Sequence, residues 1–245
     1  MRPVLAIALA AAGLAVGPVL RALVVATSVP SGQPWRRSCP ACEAPLRWAA
    51  VPALPPTGRC PARRDRIGPP VLAVELVAAA VLALLAARIH PVLVLAAACW
   101  LAVCVIPLAF VDAATRRLPD LLTGPAWAGT AALLLAAAAS SGDWSGLGRA
   151  LLGGVVYAAF CALLFLISPS GIGPGDIKLA ASLGTALAWL GWATLAGGVL
   201  AGFLLGAGYG IILLASGRAD RKTQIPFGPF MIAGTFLLLA ITGLG

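Results

Sequence analysis

Apolar segments long enough to cross a lipid bilayer recur along this chain, and they constrain its fold more than any other feature. A helix needs about 20 apolar residues to cross a bilayer core about 30 Å thick. Only 10% of the 245 residues are charged, whereas a soluble domain has roughly 25%. The sequence therefore predicts an all-α polytopic membrane protein with about eight transmembrane helices and one sizeable cytoplasmic loop. The predicted spans are roughly 4–29, 71–88, 91–111, 121–140, 149–167, 179–194, 196–215 and 229–244.

The stretch 179–216 is the one place where the number of spans is ambiguous. As a single helix its 38 residues would be about 57 Å long, far longer than the bilayer core is thick. We therefore predict two helices that meet near Gly191, the first of them short. This division also keeps the basic cluster at 218–222 on the same side of the membrane as the other basic loops.

Basic residues predict the orientation of the chain, because lysine and arginine concentrate in cytoplasmic loops. Of the 17 basic residues, three lie in loops on one side (Arg2, Arg88 and Arg149) and Arg21 lies within the first span. The other thirteen lie in loops that we predict to be cytoplasmic: Arg36, Arg37, Arg47, Arg59, Arg63, Arg64, Arg66, Arg116, Arg117, Lys178, Arg218, Arg221 and Lys222. The predicted location is thus the inner membrane, with both termini outside.

The same charge distribution bears on the partners of the protein. A net charge of +9 would suggest nucleic acid as a partner of a soluble protein. Here the loops explain it, so we expect the lipid bilayer as a partner and no nucleic acid. The chain divides into a first span at 1–29, a cysteine- and arginine-rich cytoplasmic loop at 30–70, and a seven-span core at 71–245.

Carboxylates in or beside membrane spans are costly and are therefore candidates for a functional role. Glu75, Asp112 and Asp176 fit that description best, with Asp120 a weaker fourth. Glu75 is predicted to be structural, either reaching the interface or pairing with an arginine of the loop.

Asp176 follows a stretch in which glycine and proline disfavour a helix, and such irregular backbone beside a membrane commonly lines a cavity. The structural alternative is an N-cap for a helix that starts at Ile177. For Asp112, at the cytoplasmic end of the third span, the structural alternative is a pair with Arg116, four residues on.

Asp112 and Asp176 are predicted to lie on the same side of the membrane. Paired carboxylates hydrolyse peptides when one is ionised and activates water while the other is protonated and polarises the carbonyl. The positive end of a helix favours an ionised Asp176, and the negative end of a helix favours a protonated Asp112. This division of roles is a hypothesis, since a coupled pair titrates as a unit.

Four motifs in order resemble those of type IV prepilin peptidases, which are intramembrane aspartic proteases. They are Pro70-Val-Leu-Ala-Val-Glu75-Leu, Asp112 with Leu118-Pro119-Asp120, Gly171-Ile-Gly-Pro-Gly-Asp176-Ile-Lys178, and Ile225-Pro-Phe-Gly-Pro-Phe230. The resemblance implies that 71–245 is an aspartic peptidase core whose catalytic residues are Asp112 and Asp176. It also implies that Gly171, Gly173, Gly175 and Lys178 shape the substrate-binding loop.

Family resemblance further implies the reaction. Family members cut the positively charged leader from type IV prepilins and pseudopilins after a glycine, on the cytoplasmic face. Many then methylate the new N-terminus with S-adenosylmethionine. No cofactor is expected for proteolysis, and S-adenosylmethionine is expected if methyl transfer is retained.

Cysteines of the loop depart from the family pattern of two Cys-x-x-Cys pairs, which suits a zinc site. Cys39 and Cys42 form one pair, but the second reads Cys60-Pro-Ala-Arg63. With the fourth ligand missing, unless Asp65 or a water supplies it, we expect zinc to bind weakly at best. A disulfide is disfavoured in a cytoplasmic loop.

Two alternatives to a bifunctional enzyme stay open at this point. One is a peptidase without methyltransferase activity, because the first span and the second cysteine pair both depart from the family pattern. The other is a non-enzymatic transporter or assembly scaffold, since embedded carboxylates also serve as proton relays. Transport would predict inverted repeats and carboxylates near the bilayer midplane, and the sequence displays neither.

Overall fold

The fold is known from a computed structural model that describes residues 2–30, 33–43, 57, 59–60, 62–169, 171–218 and 224–243. These residues form α-helices, most of them joined by short connections, whereas residues 28–72 separate the first helix from the second. One isolated bridge joins Arg59 and Arg66 within that loop. The helices are α1 (Arg2–Thr27), α2 (Ala73–Arg88), α3 (Val92–Thr115), α4 (Asp120–Ser141), α5 (Trp144–Ile167), α6 (Pro174–Leu190), α7 (Trp192–Ala215) and α8 (Gly228–Thr242).

Five of these helices are long and apolar enough to cross a membrane, namely α1, α3, α4, α5 and α7. The other three are shorter, with 16, 17 and 15 residues in α2, α6 and α8. Large apolar side chains stay exposed along α5 and α7, such as Leu166 and Leu204, which is the surface that lipid covers. The all-α, multi-pass membrane class is confirmed, whereas the count of eight spans stays a prediction.

The predicted break near Gly191 is confirmed, because this residue ends α6 and begins α7. Its φ of 141° is a backbone conformation that side chains with a Cβ rarely adopt. A position that demands glycine therefore separates a short helix from a long one.

Two helices begin five residues earlier than predicted: α5 begins at Trp144 and not at 149, and α6 begins at Pro174 and not at 179. The predicted irregular stretch thus covers only Gly171 to Gly173, and Pro174 and Gly175 lie in the first turn of the helix. Proline is favoured at the first helical position because its missing N–H would have no partner there.

Neighbouring helices alternate in direction, so the helix ends form two opposite faces of the bundle. On one face, Arg117 Nη1 donates to the carbonyl oxygens of Val29 (2.8 Å) and Pro30 (2.6 Å), which joins the end of α3 to the end of α1. On the other face, Arg149 Nε of α5 donates to the Ala188 carbonyl of α6 at 2.8 Å. The first face, which also carries Asp112, is called the aspartate face below.

A buried ion pair fastens α1 to α2 near the aspartate face. Arg21 Nη2 lies 2.6 Å from Glu75 Oε2, and both side chains are almost fully buried. Arg21 also donates to the carbonyl oxygens of Pro69 and Pro70. The prediction that Glu75 reaches the interface or pairs with a loop arginine was wrong, because its partner comes from the first helix. Arg21 Nε donates to Glu75 Oε1 at 2.9 Å as well, so four acceptors satisfy the guanidinium, as a buried charge requires.

Three basic residues used to predict the orientation, Arg47, Arg221 and Lys222, lie outside the described residues. The division of the chain at 1–29, 30–70 and 71–245 stays a prediction.

Candidate active site

Asp112 lies in the last turn of α3, on the aspartate face. The helix ends where Arg116 adopts a left-handed conformation (φ 53°) and donates its N–H to the Asp112 carbonyl at 2.7 Å. The Asp112 side chain is 5% exposed, and its Oδ2 accepts a hydrogen bond from the backbone N–H of Gly228 at 3.0 Å. The alternative pair with Arg116 does not describe the geometry, because that guanidinium donates to Gln224 Oε1 at 2.8 Å.

Gly228 is a site residue that sequence reasoning missed. A Cβ at this position would lie 2.8 Å from Asp112 Oδ2, so only glycine allows the backbone to approach the carboxylate this closely. The sequence analysis used the surrounding motif, 225–230, only as a family resemblance. Because Gly228 is 116 residues from Asp112 in sequence, spacing carries no signal of the contact.

Asp176 lies in the first turn of α6, three residues after the N-cap Gly173. Its Oδ2 accepts from the Gly173 N–H at 2.8 Å, and its own N–H donates to the Gly173 carbonyl at 3.0 Å. The structural alternative, in which Asp176 is the N-cap before Ile177, does not describe the geometry, because the helix starts at Pro174. The side chain still caps the helix, by reaching back to Gly173.

The second oxygen of Asp176 is available for chemistry. Its Oδ1 is buried and has no hydrogen-bond partner among the described residues. Buried polar atoms without a partner are rare in proteins and call for an explanation. A substrate carbonyl or an attacking water would supply the missing partner.

Both aspartates line one cleft of about 320 Å³ on the aspartate face, close enough for their charges to interact. The C-terminal end of α3 and the N-terminal ends of α4 and α6 form its walls. The other residues that line it are Arg116, Arg117, Leu118, Asp120, Gly173, Pro174, Gly175 and Lys178. The structure thus brings together the two carboxylates that the sequence analysis paired across 64 residues of chain.

The four residues predicted to shape the substrate-binding loop take different positions. Gly175 packs against Leu118, which lies in the connection between α3 and α4. A Cβ at position 175 would lie 2.9 Å from Leu118 Cβ. Gly171 and Gly173 have more space, with no atom closer than 3.5 Å to an added Cβ. Lys178 lies at the exposed rim and pairs with Asp120 at 2.6 Å.

Three cysteines form a second cluster in the loop after α1. The sulfur atoms of Cys39, Cys42 and Cys60 all lie within 4.8 Å of one another, close to the separation of about 4 Å that tetrahedral zinc with 2.3 Å Zn–S bonds requires. The Arg63 N–H donates to Cys60 Sγ at 3.5 Å. This hydrogen bond lowers the pKa of the Cys60 thiol, which favours the thiolate that binds metals. Asp65 is not part of the described cluster.

Comparison with known proteins identifies the family of this chain. The sequence profile described as the type IV leader peptidase family matches residues 95–211, which include both aspartates. A prepilin leader peptidase/N-methyltransferase of Aeromonas salmonicida (strain A449) is 34% identical over 217 residues, covering 83% of this chain and 71% of that protein. The chain belongs to the type IV leader peptidase family. Motif order, paired aspartates and helical fold all agree with that membership.

Two further relatives carry the same name. A protein of Burkholderia pseudomallei (strain 1026b) is 35% identical over 209 residues, covering 81% of this chain. A protein of Pseudomonas aeruginosa is 32% identical over 213 residues, covering 82% of this chain and 70% of that protein. The chain spans 65% of the length of the Burkholderia relative. No solved structure matches the sequence.

Proposed function

We propose that this protein is a membrane aspartic endopeptidase that removes the leader peptide from type IV prepilins or pseudopilins. The observation that carries the proposal is the meeting of Asp112 and Asp176 in one cleft, each fixed by one backbone N–H. Two buried carboxylates whose charges interact tend to share one proton. Such a pair has both forms that peptide hydrolysis needs, a base for the water and an acid for the carbonyl.

The chemistry of the pair requires no metal or cofactor of the protein. The ionised carboxylate takes a proton from water as the oxygen attacks the scissile carbonyl. The protonated carboxyl donates its proton to the carbonyl oxygen, which gives a tetrahedral diol. The proton taken from water then passes to the leaving nitrogen as the C–N bond breaks, and one hydroxyl returns its proton to the other carboxylate as the carbonyl re-forms, which restores the pair. Asp176 Oδ1, which has no hydrogen-bond partner among the described residues, suits the contact with water, whereas Oδ2 of each aspartate accepts a backbone hydrogen bond. Which carboxyl starts as the acid stays a hypothesis.

The position of the pair also supports an active site that faces the cytoplasm. The aspartate face carries Arg36, Arg66, Arg117 and Lys178, whereas Arg149 lies on the opposite face. Basic residues concentrate on the cytoplasmic side of inner-membrane proteins. A transporter is less well supported, because the aspartates lie at helix ends and not near the middle of the helices.

Replacing each aspartate with asparagine tests the peptidase. Asp112→Asn and Asp176→Asn should each lower prepilin cleavage by at least about a hundredfold, because an amide cannot act as acid or base. Cleavage is measured on purified enzyme in detergent, with a prepilin from the same genome and separation of the shortened product by electrophoresis. Membrane insertion of each variant should equal that of the wild type.

Asp120→Asn is the matched control, since Asp120 lines the same cleft but is exposed and pairs with Lys178. It should keep most of the activity, because exposed ion pairs contribute about 0–1 kcal/mol. Normal cleavage by either variant of the pair would remove that aspartate from the mechanism.

Methyl transfer is a second candidate function, supported by a separate cavity of about 550 Å³ between the end of α1, the loop and the end of α3. Its size lies in the range of small-molecule sites, about 300–1,000 Å³. Arg36 and Arg66 line it, as does Ser28, whose buried hydroxyl has no partner among the described residues. These groups suit the carboxylate of S-adenosylmethionine, which supplies an electrophilic methyl group when bound. The relatives are named N-methyltransferases as well as peptidases.

Substitution of the three loop cysteines should distinguish methyl transfer from proteolysis. The loop that holds them packs on α1 through Cys39, Cys60 and Ile67, beside this cavity and away from the aspartate cleft. Replacing Cys39, Cys42 and Cys60 together with serine should therefore loosen the loop that carries Arg36 and Arg66 and weaken binding of S-adenosylmethionine measurably, although no cysteine lines the cavity. Prepilin cleavage should persist.

Equilibrium dialysis with labelled S-adenosylmethionine and the cleavage assay, run on the same preparations, measure the two effects. Zinc content is measured alongside, and we expect weak binding because the described part of the loop brings three cysteine ligands together and not four. Loss of cleavage in a stably inserted triple variant would make the loop part of the protease. A tightly bound equivalent of zinc would reveal a fourth ligand.

A further inference from the structure

The cysteine cluster of the loop after α1 differs from the zinc site that the family resemblance implies. Besides Cys39, Cys42 and Cys60, the loop between α1 and α2 contains no histidine and only two carboxylates, Glu43 and Asp65. Both carboxylates are exposed, and the cluster of described residues includes neither. The loop therefore offers three thiolates, whereas a structural zinc site is almost always closed by four ligands.

The surroundings of the cluster disfavour a water molecule as the fourth ligand of zinc. Cys39 and Cys60 are 4% and 1% exposed, and both pack with α1 and with Ile67 in one apolar cluster. Cys42 is half-buried. An apolar shell limits the access of water to a bound metal, so a divalent ion that keeps an open coordination position is poorly accommodated.

The spacing of the sulfur atoms suits a metal ion with three ligands. All three lie within 4.8 Å of one another. With metal–sulfur bonds of about 2.3 Å, three sulfur atoms arranged evenly around an ion in one plane stand about 4 Å apart. Thiolates are soft ligands that select copper(I), and a monovalent ion of this kind is stable with three thiolates and no water. We propose that Cys39, Cys42 and Cys60 bind copper(I) in a three-coordinate site.

The charges around the cluster favour a negatively charged metal site. Three thiolates around one monovalent cation leave a net negative charge, and the Arg63 N–H donates to Cys60 Sγ at 3.5 Å. Arg59, next to Cys60 in sequence, is bridged to Arg66 on the antiparallel segment opposite. Like charges directly opposite one another destabilise such a pair. A negatively charged metal–thiolate centre in the same turn offsets that repulsion.

Competition with a chromophoric chelator measures copper(I) binding. The full-length protein, kept reduced and free of oxygen in detergent, is titrated with copper(I) in the presence of bathocuproine disulfonate. We expect one equivalent of copper(I) per chain to stay with the protein. X-ray absorption at the copper edge should then count three sulfur neighbours.

Cysteine variants locate the ion. Replacing the three loop cysteines together with serine should lower the affinity for copper(I) at least about a hundredfold, since even the outer-shell partners of a metal are worth about ten- to a hundredfold. Cys42→Ser alone should act in the same direction, and because Cys42 is the least buried of the three, this variant keeps the apolar packing of the loop. The matched control replaces the three cysteines of the spans with serine and should bind copper(I) like the wild type; they are Cys99, Cys104 and Cys161.

Arg63→Cys restores the second Cys-x-x-Cys pair of the family pattern and should convert the site to one that binds zinc. The backbone nitrogen of residue 63 lies 3.5 Å from Cys60 Sγ, so a cysteine side chain there reaches the cluster. Zinc affinity, measured by competition with a chromophoric zinc chelator, should rise at least about a hundredfold because the fourth ligand closes the site. Arg64→Cys adds a thiol one residue out of register and should leave the zinc affinity unchanged.

None of these measurements involves cleavage, so the copper(I) site is tested independently of the peptidase. Zinc bound as tightly by the wild type as by Arg63→Cys would overturn the proposal. Copper(I) retained by the variant without loop cysteines, or lost from the variant without span cysteines, would place the ion elsewhere and overturn it too. A copper centre with only two sulfur neighbours would reject the three-coordinate site.

Discussion

Each of the two aspartates is oriented by one backbone N–H from a glycine, and this common device decides where the carboxylates point. Gly173 holds Asp176 from within the same helix turn, whereas Gly228 holds Asp112 from the start of another helix. A hydrogen bond from a backbone N–H costs no side-chain entropy, so it fixes a rotamer more firmly than a flexible side chain would. In both cases Oδ2 is engaged, and for Asp176 the buried Oδ1 has no hydrogen-bond partner among the described residues.

Gly228→Ala should damage catalysis without touching a titratable group. The new Cβ would lie 2.8 Å from Asp112 Oδ2, so the carboxylate must move and its hydrogen bond weakens. Hydrogen bonds to charged groups are worth about 1.5–3 kcal/mol, which corresponds to a loss of cleavage of about tenfold to a hundredfold. The steady-state cleavage assay measures this loss.

Gly208→Ala serves as the control for that variant, because an added Cβ at position 208 meets no atom within 4 Å. It should cleave prepilin at the wild-type rate. If Gly228→Ala were equally active, the contact with Gly228 would have no part in positioning Asp112.

At the residue scale, the sequence could predict the pair but not its support. Asp112 and Asp176 stand out because ionisable residues are scarce in apolar spans. The role of Gly228 could not be predicted, since a contact between a backbone N–H and a distant carboxylate leaves no periodic pattern. Arg21 likewise looked like an isolated charge in the first span, and only the packing of α1 on α2 reveals Glu75 as its partner.

At the scale of helices, the lengths of the apolar segments predicted the helices and the division of 179–216 into two of them near Gly191. Gly191 separates α6 from α7, as the excessive length of 179–216 for a single helix suggested. The start of α6 was misjudged because the glycine-rich motif was read as wholly irregular. Pro174 and Gly175 are poor residues for the interior of a helix but acceptable in its first turn, where N–H groups have no intrahelical partners.

This early start of α6 has a consequence for the site. It moves Asp176 from the cap into the first turn, so that the carboxylate folds back over the helix N-terminus. Helix N-termini stabilise negative charge, and the Gly173 N–H adds a direct hydrogen bond. Asp112 has the opposite setting, in the last turn of α3. The helix N-terminus thus favours an ionised Asp176, and the helix C-terminus favours a protonated Asp112. This difference supports the hypothesis of unequal roles.

At the scale of the whole molecule, the alternation of helix directions connects the site to the membrane. The ends of α1 and α3 and the starts of α4, α6 and α8 meet on the aspartate face. The ends of α2 and α8 meet on the other, where Gly243 lies against Arg88. Eight crossings are compatible with this arrangement, although α2, α6 and α8 are too short to establish them by length alone.

Accessibility of single cysteines should show which face is cytoplasmic. In a background with the six native cysteines replaced by serine, Arg64→Cys, Arg116→Cys and Arg218→Cys each place a thiol on an exposed position near the aspartate face. Ser145→Cys places one on the opposite face, at the start of α5. An impermeant maleimide added to inverted membrane vesicles should label the first three and not the fourth, and intact spheroplasts should give the reverse pattern. The reason is the concentration of basic residues at the aspartate face, which the positive-inside rule assigns to the cytoplasm. Labelling of position 218 from the same side as position 145 would mean that α6 and α7 do not both cross, and the active site would then require a new topology.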